Sequence, residues 1–464
     1  MMFTMNYIEM INRFSILIFL LFTISCSVSD DSENNIESSV FSFYDELDEG
    51  NSFPKMIIST NGQEIIDEPK INADLKVIEE NTEINYKIGI ETRGSSSQMF
   101  PKKSYGFETR SSDWSDDIDV ELGGFPEEED WILYGPYSDK SLIRNKLTFD
   151  LSNSIGYYAS RTKFYNLFIN NESKGLYVLM EKIKRDKNRV DISKLGDDTV
   201  NGGYIIKIDK PTGDGESCST CYDSSFSFRS SYNTKGEISN ESEIYFIYHY
   251  PKPDEISEDQ KDYIKSVIYD FETALISANS QNLIDIIDID SFVDFFIINE
   301  LSKNPDGYRL STFLNKDFEG KLKMGPIWDF NLAFANVDYC DGSNPEGWIY
   351  NFNNICPGDV WQVPFWWTNL MQKEVFKSAL KIRWEALRSS KLSNSEIFGK
   401  INSYKDYLES NKVINQNFYI WPVLGQYVWP NYFVGSSHQE EIDFMKNWIT
   451  DRLSWMDNQI SAIN

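Results

Sequence analysis

Two acidic residues of the 464-residue chain stand in local company that sets them apart. Asp306 lies in a Pro-Asp-Gly turn directly after an apolar helical run, and Asp329 lies in Gly-Pro-Ile-Trp-Asp-Phe at the end of a run that reads as a buried strand. They are 23 residues apart, room for a short strand, a turn at Asp317–Gly320 and a second strand. Such a hairpin brings both carboxylates to one end. Converging carboxylates suit phosphoryl transfer to a hydroxyl, one taking the proton of the nucleophile and the other holding Mg²⁺ against the phosphates. Paired carboxylates also serve glycosidases. An Asp between Pro and Gly is, by itself, an ordinary turn residue. Asp329 is less ordinary, because Ile327, Trp328, Phe330, Leu332 and Phe334 surround it and a carboxylate is costly there unless paired or metal-bound.

Composition narrows the alternatives. The only histidines are His249 and His438, neither beside another reactive signature, which argues against a Ser-His-Asp hydrolase or a His-ligated metal. The net charge of −28 argues against nucleic acid or an anionic membrane surface as partner. It does not oppose ATP, whose binding depends on Mg²⁺ and a few local cations. Beyond Cys26 there are four cysteines, and the pairing expected is Cys340 with Cys356, clamping the loop after Asp329, and Cys218 with Cys221. A Cys₄ zinc site is the alternative, though the second pair lacks close spacing.

The elements that would position the two aspartates read as follows. Lys55–Ser59, Ala73–Ile78 and Asn85–Arg93 read as strands broken by Asn61-Gly62 and acidic turns. The loop Gly94–Ser97, with Ser95 and Ser96, offers backbone N–H groups and hydroxyls suited to phosphate oxygens. Ser138 followed by Leu142, Ile143, Leu147 and Leu151 predicts a capped helix to about Ser154. Phe164–Ile169 and Lys174–Met180 predict a hairpin across Asn170-Asn171, and Gly202–Asp209 another strand whose Lys207 and Asp209 could reach a nucleotide or simply end the strand. Residues 211–240 read as a Gly-, Ser- and Cys-rich insertion. Ser257–Gln260 is a capping box, and Ser291 to about Leu301 a buried helix that delivers Asp306. The aromatic run Trp348–Trp367 suits core packing, and Gln439–Ile460 a packing helix.

The stretch Asn299–Tyr339, with Arg93-Gly-Ser-Ser-Ser, Pro101-Lys-Lys-Ser-Tyr and Asp139-Lys-Ser-Leu-Ile-Arg-Asn, resembles the CotH family of spore-coat-H-like atypical protein kinases. The likeness is to the form found in Bacteroidota surface lipoproteins and covers most of residues 53–456. It implies that Asp306 is the catalytic Asp and Asp329 the Mg²⁺-binding Asp, equivalent to that of a kinase DFG. Two positions depart from the pattern: Asn331 replaces the DFG-like glycine, and Ser311 stands where a second metal ligand, Asn, is expected. Ser311, Asn331 and Asn315 are therefore the candidates for that ligand. A kinase also needs a strand lysine held by a glutamate. Strand parity with Tyr105 and Phe107 selects Lys103 as inward-facing and Lys102 as outward, with Glu181 as partner and Arg93 as a further phosphate contact. Arg144 and Asn145 belong to a family motif, in contact with substrate or in packing.

Met1 to Cys26 reads as an export signal ending in a lipobox-like Thr-Ile-Ser-Cys, and residues 27–50 as an acidic tether. The expectation is thus a signal over 1–26, a tether over 27–50, a β-rich nucleotide-binding lobe over 51–210, the insertion over 211–240 and a helical lobe over 241–464. The fold class is α+β, a two-lobe atypical protein-kinase-like fold. By resemblance it is a surface or outer-membrane lipoprotein, attached only through a lipid on Cys26, that transfers the γ-phosphoryl of ATP, with Mg²⁺ or Mn²⁺, to Ser or Thr of an exported protein. The alternative is a non-catalytic surface lipoprotein that binds protein or glycan on a kinase-like scaffold.

Overall fold

The computed structural model describes residues 52–80, 82–196, 199–213, 218–278 and 280–463. The export signal and tether expected over 1–50 lie outside the described residues. Alternating apolar positions build the first layer: β1 (Lys55–Ser59), β2 (Ile71–Glu79), β3 (Thr82–Arg93) and β4 (Ser104–Arg110) run as consecutive antiparallel neighbours. Met56, Ile58, Ala73, Leu75 and Val77 are buried at every second position, the period of a strand with one face to a core. A small hairpin, β5 (Val120–Leu122) and β6 (Phe125–Glu128), precedes β7 (Asp130–Tyr134). Helix α1 (Arg144–Ser154) follows, then β8 (Thr162–Ile169) and β9 (Glu172–Glu181). The strands close into a seven-membered barrel in the order β1-β2-β3-β4-β7-β9-β8, with β1 parallel to β8 at the seam. The β8–β9 connection is the expected one. Asn170 and Asn171 both take positive φ (51° and 67°), as a two-residue hairpin turn matched to strand twist requires.

A second sheet forms from β10 (Tyr204–Ile208), β11 (Ser227–Arg229), β12 (Tyr245–Tyr250), β13 (Thr312–Lys316) and β14 (Leu322–Met324), in the order β11-β12-β10-β13-β14. β10, read with the N-terminal strands, therefore pairs with strands far downstream, and the segment read as an insertion contributes β11 to the same sheet. Helices take over from there: α2 (Glu258–Ile276), α3 (Ser280–Ile286), α4 (Ile289–Ser302), α5 (Phe352–Ile355), α6 (Trp366–Leu370), α7 (Glu374–Arg388), α8 (Asn394–Ser410), α9 (Val413–Ile420) and α10 (His438–Ser461). The architecture is α+β, strand-rich first and helical second. α2 starts on the expected capping box, Ser257 with Gln260. Trp366, Trp367, Ile349 and Phe352 are buried, so the aromatic run is core.

Two local expectations change. The helix read from Ser138 starts at Arg144, because the Asp139 carboxylate takes the N–H groups of Ser141 and Arg144 and folds the intervening residues into a turn, with Leu142 at φ 67°. β14 ends at Met324, so Asp329 sits beyond the strand in a turn of its own. The disulfides are Cys218–Cys221 and Cys340–Cys356, as expected. Among the described residues, no helix is long and apolar enough to cross a membrane.

Candidate active site

Asp306 is placed by the end of α4, a helix of Phe, Ile and Val buried on nearly every side. The helix stops when Lys303 turns left-handed (φ 43°), and the chain leaves through Asn304-Pro305-Asp306. The Asn304 amide then joins the two aspartates: its Oδ1 accepts from the Asp306 N–H at 3.3 Å and its Nδ2 donates to the Asp329 carbonyl at 3.0 Å. The Asp306 carboxylate accepts from Arg309 Nη2 at 2.7 Å.

Asp329 has φ 62°, a conformation Asp tolerates better than most side chains but which needs support. Support comes from α1. Asn145 Oδ1 accepts from the Phe330 N–H at 2.7 Å, and Arg144 Nε donates to the Ala333 carbonyl at 2.9 Å while its Nη1 pairs with Asp139 at 2.5 Å. The two motif residues whose role was open thus hold the turn that carries Asp329. Asp329 itself is exposed, crowded by half-buried Trp328 and buried Phe330 on either side. Desolvation from that crowding pushes its carboxyl up, to about 7, with the charges of Asp306 and Asp209 adding to the rise and Arg93 and Lys210 opposing it.

Around this pair the sheet edge and the small-residue loop supply further groups. Arg93, at the end of β3, lies 5.7 Å over the Trp328 ring. Burial pushes its pKa down, and the charges of Asp329, Glu91 and Asp209 push it up. Asp209 follows β10, whose last residue Ile208 faces Thr312 on β13, so the strand pairing carries Asp209 toward Ser311. Lys210 lies 4.5 Å over the Trp361 ring. Ser95 Oγ meets Thr212 Oγ1 at 2.8 Å, which ties the Gly94–Ser97 loop to the segment after Asp209. Ser96 is exposed at the start of a short 3₁₀ turn, Ser96–Met99.

The lysine and glutamate expectations are corrected. β4 begins at Ser104, so Lys102 and Lys103 precede the strand and its alternation does not govern them. Lys102 is the buried one, 2% exposed, donating to Asn417 Oδ1 of α9 at 2.7 Å. Lys103 is half-buried and its ammonium is bonded to the Gln98 carbonyl. Glu181 is fully buried, but its partner is Arg161, which donates at 2.6 and 3.0 Å. A basic residue on the neighbouring strand edge reaches Glu181 where Lys103, spent on Gln98, does not. Among the candidates for a second ligand, Asn315 donates its amide to Gly325 O at 2.9 Å. Ser311, half-buried with φ 46°, lies just before β13, and half-buried Asn331 lies two residues past Asp329. Asn304 and Arg309 escaped the sequence reading, although their spacing from Asp306, two before and three after, was the available signal.

The model of the CotH kinase protein family matches residues 90–456. The chain belongs to this family. Inner spore coat protein H of Bacillus subtilis (strain 168) is 22% identical over 273 residues, covering 59% of this chain and 65% of that protein. The chain therefore matches less than two thirds of that relative's length. Within the CotH match fall both aspartates, the Asn304 that bonds both, Arg93, and the α1 residues that brace the Asp329 turn.

Proposed function

We propose that this CotH-family chain is an atypical protein kinase that transfers the γ-phosphoryl of ATP to a Ser or Thr hydroxyl of a protein. The observation that supports the reading is the Asn304 amide bonded at once to the Asp306 N–H and to the Asp329 carbonyl, which holds the two aspartate turns side by side. ATP with Mg²⁺ or Mn²⁺ would supply the phosphoryl group and neutralise its developing charge. The donor set fits such a hard cation: Asp329 is a solvent-reached carboxylate with Asp209 and Asp306 near enough to raise its pKa, and all three offer oxygen. Asp329 and Asp209 would hold the cation. Arg93, Lys210 and the Ser95-Ser96 loop would face the phosphates. Asp306 would accept the proton of the attacking hydroxyl.

In the same reading, the barrel and the helical part are the two lobes of a kinase fold. The chain is an exported lipoprotein anchored by a lipid on Cys26, and its acceptor is an exported or surface-exposed protein. The two disulfides support an oxidising compartment. A non-catalytic binding scaffold is the second reading, favoured by the bonding of Glu181 to Arg161 in place of Lys103.

The deciding experiment is radiolabelled γ-phosphate transfer by the full protein with Mg²⁺ or Mn²⁺, beside Asp306→Ala and Asp329→Ala. Label on itself or on a surface protein, lost in both variants, supports the kinase. Neither transfer nor an ATP-dependent rise in melting temperature leaves the scaffold.

A further inference from the structure

Arg309 is a group for which the reaction above has no chemical step, yet its guanidinium is fully anchored beside Asp306. It is 3% exposed. Its five polar or ring contacts divide into two sets. Toward its own turn, Nε donates to the Pro305 carbonyl at 2.8 Å and Nη2 to Asp306 Oδ1 at 2.7 Å. Away from it, Nη1 donates to Asp359 Oδ1 at 3.1 Å and to the Trp361 carbonyl at 3.2 Å, and the guanidinium lies 4.0 Å over the Phe352 ring. The planar fork of an arginine suits this use, since its donors diverge in fixed directions.

The second set of partners is itself held. Asp359 Oδ1, besides accepting from Arg309, accepts from the Trp361 N–H at 2.9 Å, and the Asp359 N–H bonds the Cys356 carbonyl at 3.1 Å. Gln362 Nε2 donates to the carbonyls of Cys356 and Asp359 at 3.2 and 2.7 Å. Cys356 is bonded to Cys340, which follows Tyr339, a phenol raised chiefly by burial and next by the charge of Asp306. The disulfide thus joins the segment of Tyr339, which feels the charge of Asp306, to the Asp359 turn, which reaches Asp306 through Arg309.

We propose that Arg309 is a positioning residue for Asp306, and that its fixed point is the Asp359 turn stapled by Cys340–Cys356. The inference rests on the kinase reading for its consequence in catalysis, but the positioning can be tested without it. An unanchored Asp306 could rotate about χ1 and χ2 out of line with an acceptor hydroxyl. Nucleotide binding depends on other groups and stays as it is.

The test uses the full-length protein and Arg309→Met, Arg309→Lys and Asp359→Ala. Hydrogen exchange of the amides from Asn304 to Leu310 is measured first. It rises in Arg309→Met and in Asp359→Ala, although residue 359 lies far along the chain, and unchanged exchange in Asp359→Ala overturns the proposal. Phosphoryl transfer is measured next: kcat falls about 100-fold in Arg309→Met, the size of effect that misplacing a catalytic group by about 1 Å brings. The KM for ATP stays within about twofold in the same variant, and Arg309→Lys recovers part of kcat, because an ammonium keeps the contact to Asp306 but not the fork. A fall in ATP affinity equal to the fall in kcat, or no recovery in Arg309→Lys, overturns a positioning role. If the parent transfers no phosphate, the kinase reading fails, and the exchange result alone decides whether Arg309 and Asp359 order Asp306.

Discussion

Asn145 and Phe330 are 185 residues apart in the chain and share one buried hydrogen bond, from the Phe330 N–H to Asn145 Oδ1 at 2.7 Å. The bond fixes the residue next to Asp329 against α1, so a helix from the first half of the chain sets the conformation of a carboxylate in the second. Asn145→Ala leaves that N–H buried without an acceptor, which costs about 1–3 kcal/mol. Urea denaturation at pH 7 measures it. Mn²⁺ affinity, read by calorimetry, falls in the same variant, and a variant with lower stability but unchanged Mn²⁺ affinity would show that Asn145 braces the fold without setting Asp329.

The raised carboxyl of Asp329 has a signed consequence for pH. Its pKa goes from 3.8 to about 7 on folding, chiefly through burial and the neighbouring aspartates. Between those limits the folded protein keeps a proton that the unfolded chain gives up, so metal-free stability falls as pH rises through the window. In EDTA, the melting temperature of Asp329→Asn relative to the parent therefore climbs from pH 5 to pH 8. Divalent cations bind the ionised form, and their affinity for the parent rises over the same range. A flat difference between variant and parent across that range would contradict the assignment.

Lys102 is a buried ammonium that donates to Asn417 Oδ1, and burial pushes its pKa well down. Replacing a buried charge by an apolar chain of similar length is neutral or stabilising by roughly 1 kcal/mol or more. Lys102→Met should accordingly match or exceed the parent in denaturant midpoint at pH 7. The folded state sheds its proton before the unfolded chain does, so the parent gains stability as pH rises and the advantage of the variant shrinks toward pH 10. A destabilised variant with weakened ATP binding would instead return Lys102 to the nucleotide.

Glu181 separates the observed pairing from the one expected. With Arg161 as its partner and no exposure of its own, Glu181→Ala costs about 3 kcal/mol, the scale of breaking a buried pair by removing one side. ATP affinity of the variant stays within about twofold of the parent once folded, since other groups would set the phosphates. Thermal unfolding and nucleotide titration report the two separately. Lost affinity at unchanged stability would restore a Lys103–Glu181 role.

Opening the Cys340–Cys356 bridge should cost about 3 kcal/mol for a separation of 16 residues, on the chain-entropy model. The paired Cys340→Ser and Cys356→Ser variant tests it by denaturation, and a cost near zero would mean that the loop is held by its hydrogen bonds alone.

Much of the frame was legible in short stretches of residues. Alternation at Met56–Ile58 and Ala73–Val77, the Asn170-Asn171 turn, the Ser257–Gln260 cap and the Asp317–Gly320 turn are each decided by neighbours a few positions away, and each forms as read. Asp306 was legible for the same reason, as a polar residue in a turn after an apolar helix, and Asp329 as a carboxylate among apolar neighbours, though its place beyond the strand was not. What packing alone decided lies across long separations: β10 joining β13, Lys102 reaching α9 while Lys103 turns to Gln98, Glu181 taking Arg161, and Arg309 fastened to Asp359. A charged side chain takes whichever partner the closed barrel and the helices bring within about 3 Å, the reach of a hydrogen bond, and no local pattern carries that distance.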